Sequence, residues 1–124
     1  MLPPMTCSRL FADANGDSQF EEIPIPMEAV QYAPPAPAVH LSAARAAQDI
    51  RWFRFPADWH DAAHPSPRRQ LFVVLSGQVE GWTSSGETQV FGPGDCLLME
   101  DTTGDGHGAR PVNGEATALV IGLA

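Results

Sequence analysis

From Asp49 onward the chain alternates apolar and polar positions with a period of about two residues, the signature of half-buried strands. In DIRWFRF, Ile50, Trp52 and Arg54 share one face and Arg51, Phe53 and Phe55 the other. QLFVVLS is a β-branched and aromatic run that stops at Gly77. If Gln70 points inward, Phe72 and Val74 do so too, and Leu71, Val73 and Leu75 pack on the opposite face. QVEGWT and TQVF flank SSGE, which predicts a hairpin turn over Ser84 to Glu87. CLLME follows Pro93-Gly94, and TALVIGL ends the sequence. Six or so short strands, with turns every 8–12 residues or about that, predict an all-β fold, either a sandwich or a small antiparallel barrel. No solenoid-length repeat and no strand–helix alternation competes with that reading.

The first part of the chain is punctuated differently. Seven of the twelve prolines precede residue 38, whereas ten of the eleven glycines follow residue 76. Tight glycine turns therefore belong to the second half, and a proline-stiffened extended arm to the first. The arm covers residues 23–42, where Pro34, Pro35 and Pro37 forbid helix. Its Ile23, Ile25, Met27, Val30, Tyr32, Val39 and Leu41 are too apolar for a solvated tether. It is expected to lie on the body of the domain or on a neighbouring subunit. Residues 42–48 (SAARAAQ) read equally as one helical turn or as a loop. DANGDS, residues 13–18, reads as a polar turn. A calcium loop needs glycine at its sixth position and glutamate at its twelfth, and these fall on Ser18 and Pro24. The chain is thus one domain over 1–124, with 1–48 holding the N-terminal arm and first strands and 49–124 the barrel core.

Composition supports a single packed core: 124 residues, 44% hydrophobic and 18% charged. The net charge is −8, and all seven cations are arginine. The lack of lysine excludes Schiff-base chemistry on the chain's own amine. The lack of a basic stripe excludes nucleic acid and disfavours anionic membranes. No apolar run approaches the roughly 18–20 residues of a membrane span, and no secretory signal is visible, so a cytoplasmic protein is expected. Cys7 and Cys96 lie far apart in sequence, which argues against a disulfide framework or a cysteine-rich zinc site.

The candidate chemistry rests on four histidines. His40 sits in the arm. His60 and His64 are an i, i+4 pair, but Pro56 and Pro65 bracket them and weaken a helical reading. His107 lies in a glycine-rich loop after a strand, where the binding groups of β folds gather. Glu80 shares the parity of Gln78 and Trp82, so it either lines a pocket or is solvated. Glu100 either holds the following loop or reacts. Arg68 and Arg69 are permanent cations available to an acidic ligand or to surface ion pairs.

HPSPRRQ (64–70), LSGQVE (75–80), FGPGD (91–95) and EDTTGDGH (100–107), with FADANGDS (11–18) and APPAP (33–37), resemble the motifs of small single-domain bacterial cupins. The resemblance covers nearly the whole chain and implies an RmlC-like jelly roll. Metal-binding cupins present three histidines and one glutamate. Here those slots fall on His64, Ser66, Gln70 and His107, so one imidazole has become a hydroxyl and the carboxylate an amide. His107 arrives two residues later than the plain pattern.

Two readings of the site stay open. In one, His64, Gln70 and His107, with His60 as the alternative nitrogen, hold a single divalent ion (iron, manganese, nickel or zinc) for dioxygenase, lyase or isomerase chemistry. In the other there is no metal, and His64 or His107 acts as general acid or base while Gln70 and Ser66 orient the substrate. Phe72, Trp82 and Arg69 are the further expected ligand contacts. A non-catalytic small-ligand binder and a structural dimer with a vestigial site are the alternatives. The apolar arm predicts a homodimer.

Overall fold

The computed structural model describes residues 4–124. Nine strands account for its regular structure: β1 (Met5–Ala12), β2 (Ser18–Ile25), β3 (Glu28–Val30), β4 (Val39–Leu41), β5 (Ala47–Phe55), β6 (Gln70–Thr83), β7 (Thr88–Phe91), β8 (Cys96–Met99) and β9 (His107–Leu123). The all-β expectation holds. Among the described residues no helix is long and apolar enough to cross a membrane.

Seven strands form one sheet in the order β2-β1-β8-β6-β9-β5, with β7 also paired to β6. All pairings are antiparallel except β1 with β8. Side chains from β1, β2, β5, β6, β8 and β9 line one cavity, so the sheet curls around it. Leu10, Phe72, Val74, Val79, Phe91 and Leu97 form the heart of the buried core. A smaller apolar cluster of Cys7, Leu98 and Leu123 lies on the outer face of the sheet, with Ile23 and Ile25 packed against it.

The alternation in β6 follows the expected parity up to Val74: Gln70, Phe72 and Val74 are buried and Leu71 and Val73 half-buried. It then changes. Irregular pairing with β9 between Val74 and Gln78 spans Gly77, at φ 72°. The extra residue of a bulge flips every side chain beyond it. Val79, Gly81 and Thr83 therefore become the buried set, and Gln78, Glu80 and Trp82 face the other way.

β1 and β2 are full members of the main sheet, joined by the turn 13–17, and the 49–124 core includes both as neighbours. The arm packs on the body of the domain only in part. Only Ile23 and Ile25, within β2, reach a core cluster. Beyond them β3 and β4 pair with each other as a separate two-stranded sheet, and Met27, Tyr32 and Val39 stay exposed. The hairpin pairs its own backbone, and the proline-rich stretch between its strands has few N–H groups to offer the main sheet. Residues 42–46 are a loop, not a helical turn. The parallel register also puts Cys7 beside Cys96, with Cys7 Sγ 3.5 Å from the Cys96 carbonyl oxygen; both thiols are free. Burial, first, and the neighbouring Cys96 push the Cys7 thiol up to about 12, so it stays protonated.

Candidate functional site

The cavity has a volume of about 510 Å³, within the roughly 300–1,000 Å³ of small-ligand sites. Its wall is largely apolar: Phe20, Phe55, Phe72, Phe91, Leu97 and Val120 are representative. Loop 56–69 adds Trp59, Asp61, His64, Pro67 and Arg68, and the polar groups are completed by Arg51, Gln70 and His107.

His107 is brought to the cavity by three local devices. It opens β9, opposite Thr83 of β6. The loop before it is held by the turn 13–17: the Asp105 N–H donates to the Gly16 carbonyl (2.8 Å), and Ser18 Oγ donates to the Gly106 carbonyl (2.6 Å). Finally, His107 and His64 form an antiparallel bridge in which each N–H donates to the other's carbonyl at 2.9 Å. The two rings stand 5.2 Å apart, centre to centre.

The two imidazoles are held in opposite ways. His107 is 5% exposed, and its Nδ1 donates to Asp101 Oδ2 at 2.6 Å; Asp101 itself is fully buried. Asp101 Oδ1 is the one fully buried side-chain polar atom without a partner among the described residues. His107 Nε2 has no hydrogen-bond partner there and is not among the fully buried unpaired atoms, and the ring lines the cavity. A buried carboxylate on Nδ1 fixes the ring's orientation and tautomer and leaves a lone pair on Nε2.

His64 spends both nitrogens. Nδ1 donates to the Pro65 carbonyl (2.8 Å) and Nε2 to Asp61 Oδ2 (2.7 Å). Two acceptors favour the imidazolium. The Pro65 carbonyl, and then Asp61, raise the His64 pKa above 6.5 against the opposing effect of burial. Folding therefore tightens the proton on His64. The stabilisation is complete below the ordinary imidazole range and is lost as pH climbs through the raised value. The melting temperature should fall as pH rises through that window, and His64→Gln should flatten the fall. Parallel curves for the two proteins would show that the pair contributes nothing.

By sequence the chain matches no family model and no curated protein. By structure it is similar to a cupin 2 conserved barrel domain protein from Salinispora arenicola, with a TM-score of 0.52 at 12% identity over 81% of this chain and 76% of that one. It is also similar to a conserved protein of unknown function from Streptococcus pyogenes, with a TM-score of 0.50 at 23% identity over 67% and 70%. The fold is that of a cupin. At these identities the likeness concerns the fold alone.

The donor set does not fit the metal centre that the cupin resemblance implies. Both nitrogens of His64 are already engaged, by the Pro65 carbonyl and by Asp61. Gln70 directs its amide nitrogen at Met99 Sδ (3.6 Å), and a neutral amide adds no charge to offset dehydration of an ion. His60 is exposed and outside the cavity lining, with Nδ1 near the Asp61 carbonyl. That leaves His107 Nε2, and no group of three or more His, Cys, Asp or Glu side chains converges among the described residues.

Other expected contacts are relocated. Trp82 does not line the cavity, because the bulge at Gly77 turned it outward; its indole lies where a side chain on Gly108 would stand. Ser66 is buried behind the wall, donating to the Arg68 carbonyl (2.6 Å). Arg69 turns away to Glu100, donating from Nε to Oε2 (2.8 Å). Glu100 also accepts from Arg9 (2.6 Å), so it fastens β1 to the loop. Burial pushes the Glu100 carboxyl up, but the two arginines outweigh it and hold the pKa below the usual range. Glu80 pairs with Arg110 (3.0 Å) outside the cavity. Phe72 and Gln70 do line it.

Sequence reasoning missed Asp101, Asp61 and Arg51 as site residues. Arg51 had a visible signal, since it shares the face of Phe53 and Phe55. Asp101 had none beyond its place just before the glycine loop.

Proposed function

We propose that this chain binds a small, largely apolar organic molecule in the sheet-lined cavity and moves a proton on it through His107, without a metal. The observation that carries this reading is the asymmetry of one ring that lines the cavity: Nδ1 held by buried Asp101, Nε2 without a partner among the described residues. Such an imidazole accepts a proton at Nε2 and returns it at another atom, which suits isomerisation, elimination or cyclisation. The Asp101 carboxylate faces the positive charge that the ring acquires and stabilises it. Gln70, also in the lining, offers an amide to orient a carbonyl or hydroxyl. His64, whose two nitrogens are both engaged by acceptors, serves to position the loop and not as a base.

A non-catalytic binder is the second reading. It is favoured by the predominance of hydrocarbon in the wall and by there being one reactive nitrogen in place of a larger constellation. A thermal-shift screen of small organic acids, alcohols and sugars should yield stabilising ligands. Incubation of each with the protein, followed by mass spectrometry and NMR, should reveal an isomer or elimination product. His107→Gln should abolish turnover while the ligand still binds. Binding without any product, in wild type as in His107→Gln, would leave the binder reading and overturn the catalytic one.

A further inference from the structure

We infer that the cavity takes a ligand with one anionic head group on an apolar body, and that Arg51 receives the head. The inference rests on the reading of the cavity as a ligand site and specifies the ligand's chemistry.

The charge inventory of the molecule leads to Arg51. Of the seven arginines, five are in ion pairs: Arg9 with Glu21 and Glu100, Arg54 with Glu115, Arg68 with Asp49, Arg69 with Glu100, and Arg110 with Glu80. Arg45 and Arg51 make no ion pair among the described residues, and of these two Arg51 alone lines the cavity. In a chain of net charge −8 acceptors are plentiful, so an exposed cation left without an ion pair in the lining of a concave, apolar site is informative.

The other charged groups that line the cavity are paired locally, and the Asp101 carboxylate lies behind the wall, bonded to His107. Arg68 donates to both Asp49 oxygens, at 2.9 and 2.5 Å. His64 is matched by Asp61 at 2.7 Å. Arg51 is the residual positive charge, and it fits one negative group on the ligand.

Register places Arg51 well for this. It sits opposite Val120 on β9, which sits opposite Phe72 on β6, and all three line the cavity. Phe53 and Phe55 follow on the same face of β5. One row therefore runs from a guanidinium onto aromatic and aliphatic side chains. The planar fork of arginine matches a carboxylate with two parallel hydrogen bonds, which a lysine would not supply. The surrounding −8 field repels anions at distance, so capture depends on this local charge, within a Debye length of about 10 Å at ordinary salt.

The test uses matched probes that differ only in the head: decanoate against decanol, and phenylbutyrate against phenylbutanol, each below its micelle concentration at pH 8 and fixed salt. Binding is read by calorimetry and by the fluorescence of Trp59, which lines the cavity. Wild type should bind each carboxylate at least tenfold more tightly than its alcohol. Arg51→Gln should erase that preference by weakening the carboxylate alone, and Arg51→Lys should restore part of it. Arg51 is on an exposed edge strand, so these variants are expected to fold. Alcohols that bind as well as carboxylates, or a preference that survives in Arg51→Gln, would overturn the inference while sustaining the cavity as a ligand site. No binding by any of the four probes would overturn both.

Discussion

Asp101→Ala should cost about 3 kcal/mol of folding free energy, the largest loss expected from any single side chain at the site. Two opposing effects decide the sign. The carboxylate is fully buried with Oδ1 unpartnered, so removing it relieves a desolvation cost. Against that, His107 Nδ1 loses its 2.6 Å acceptor inside the protein, and a space opens beneath the ring. Breaking one side of a buried pair costs more than the pair itself contributes, so the net effect is destabilising. The exposed counterpart sets the scale: Asp61→Ala removes the partner of half-exposed His64 and should cost under about 1 kcal/mol. Asp101→Asn keeps an acceptor for Nδ1, so it should unfold close to wild type yet lose turnover, because the charge that faces the imidazolium is gone. Urea titrations of the three variants measure this ladder, with unchanged slopes confirming that only stability moved. If Asp101→Ala unfolds at the wild-type midpoint, the dyad does not hold the site together.

The parts of this architecture that were legible in the sequence are those governed by local alternation. The inward set Gln70, Phe72 and Val74 needs only a two-residue period. So does the turn at Ser84 to Glu87, given its glycine. What long-range pairing decides was not legible. MTCSRLFA and SQFEEIPI carry too many polar positions to read as core strands, yet β1 is paired on both edges, by β2 and by β8. HGARPVNGEA reads as loop because of Pro111 and its glycines. It is strand because β6 runs alongside it from Gln78 to Thr83. Pro111 is tolerated there because β5 pairs with β9 only from Ala116 onward, leaving one edge of that stretch open.

The site divides along the same line. Positions 64, 70, 72 and 107 follow from motif spacing and parity, and all four line the cavity. Trp82 was misplaced by the bulge at Gly77, which no alternation count anticipates. The role of DANGDS was also hidden. It is a turn, as read, but its work is to hold the loop that delivers His107, and that contact joins residues 16 and 105. Arg51 became significant only when five of the other six arginines had been assigned partners and Arg45 had been placed outside the cavity lining.

The bridge between the histidines depends on one residue, and Gly106→Ala should break it. Gly106 has φ 78°, a left-handed conformation that costs an alanine about 1–2 kcal/mol. A Cβ there would also run into the backbone of His64 and Pro65. Backbone cannot rotate aside as a side chain does, so either the bridge opens or strand β9 shifts at its start. Gly86 is the control: its φ is 96°, but nothing stands within 4 Å of the added atom. Gly86→Ala should therefore show the conformational cost alone, while Gly106→Ala should cost about 2–4 kcal/mol and destroy the cavity's ligand affinity as well. For a domain of this size the gap between them corresponds to a melting-temperature difference on the order of 5–10 °C. Equal losses in the two variants would mean that His64 and His107 are not clasped across Gly106, and that their rings owe their positions to something other than the bridge.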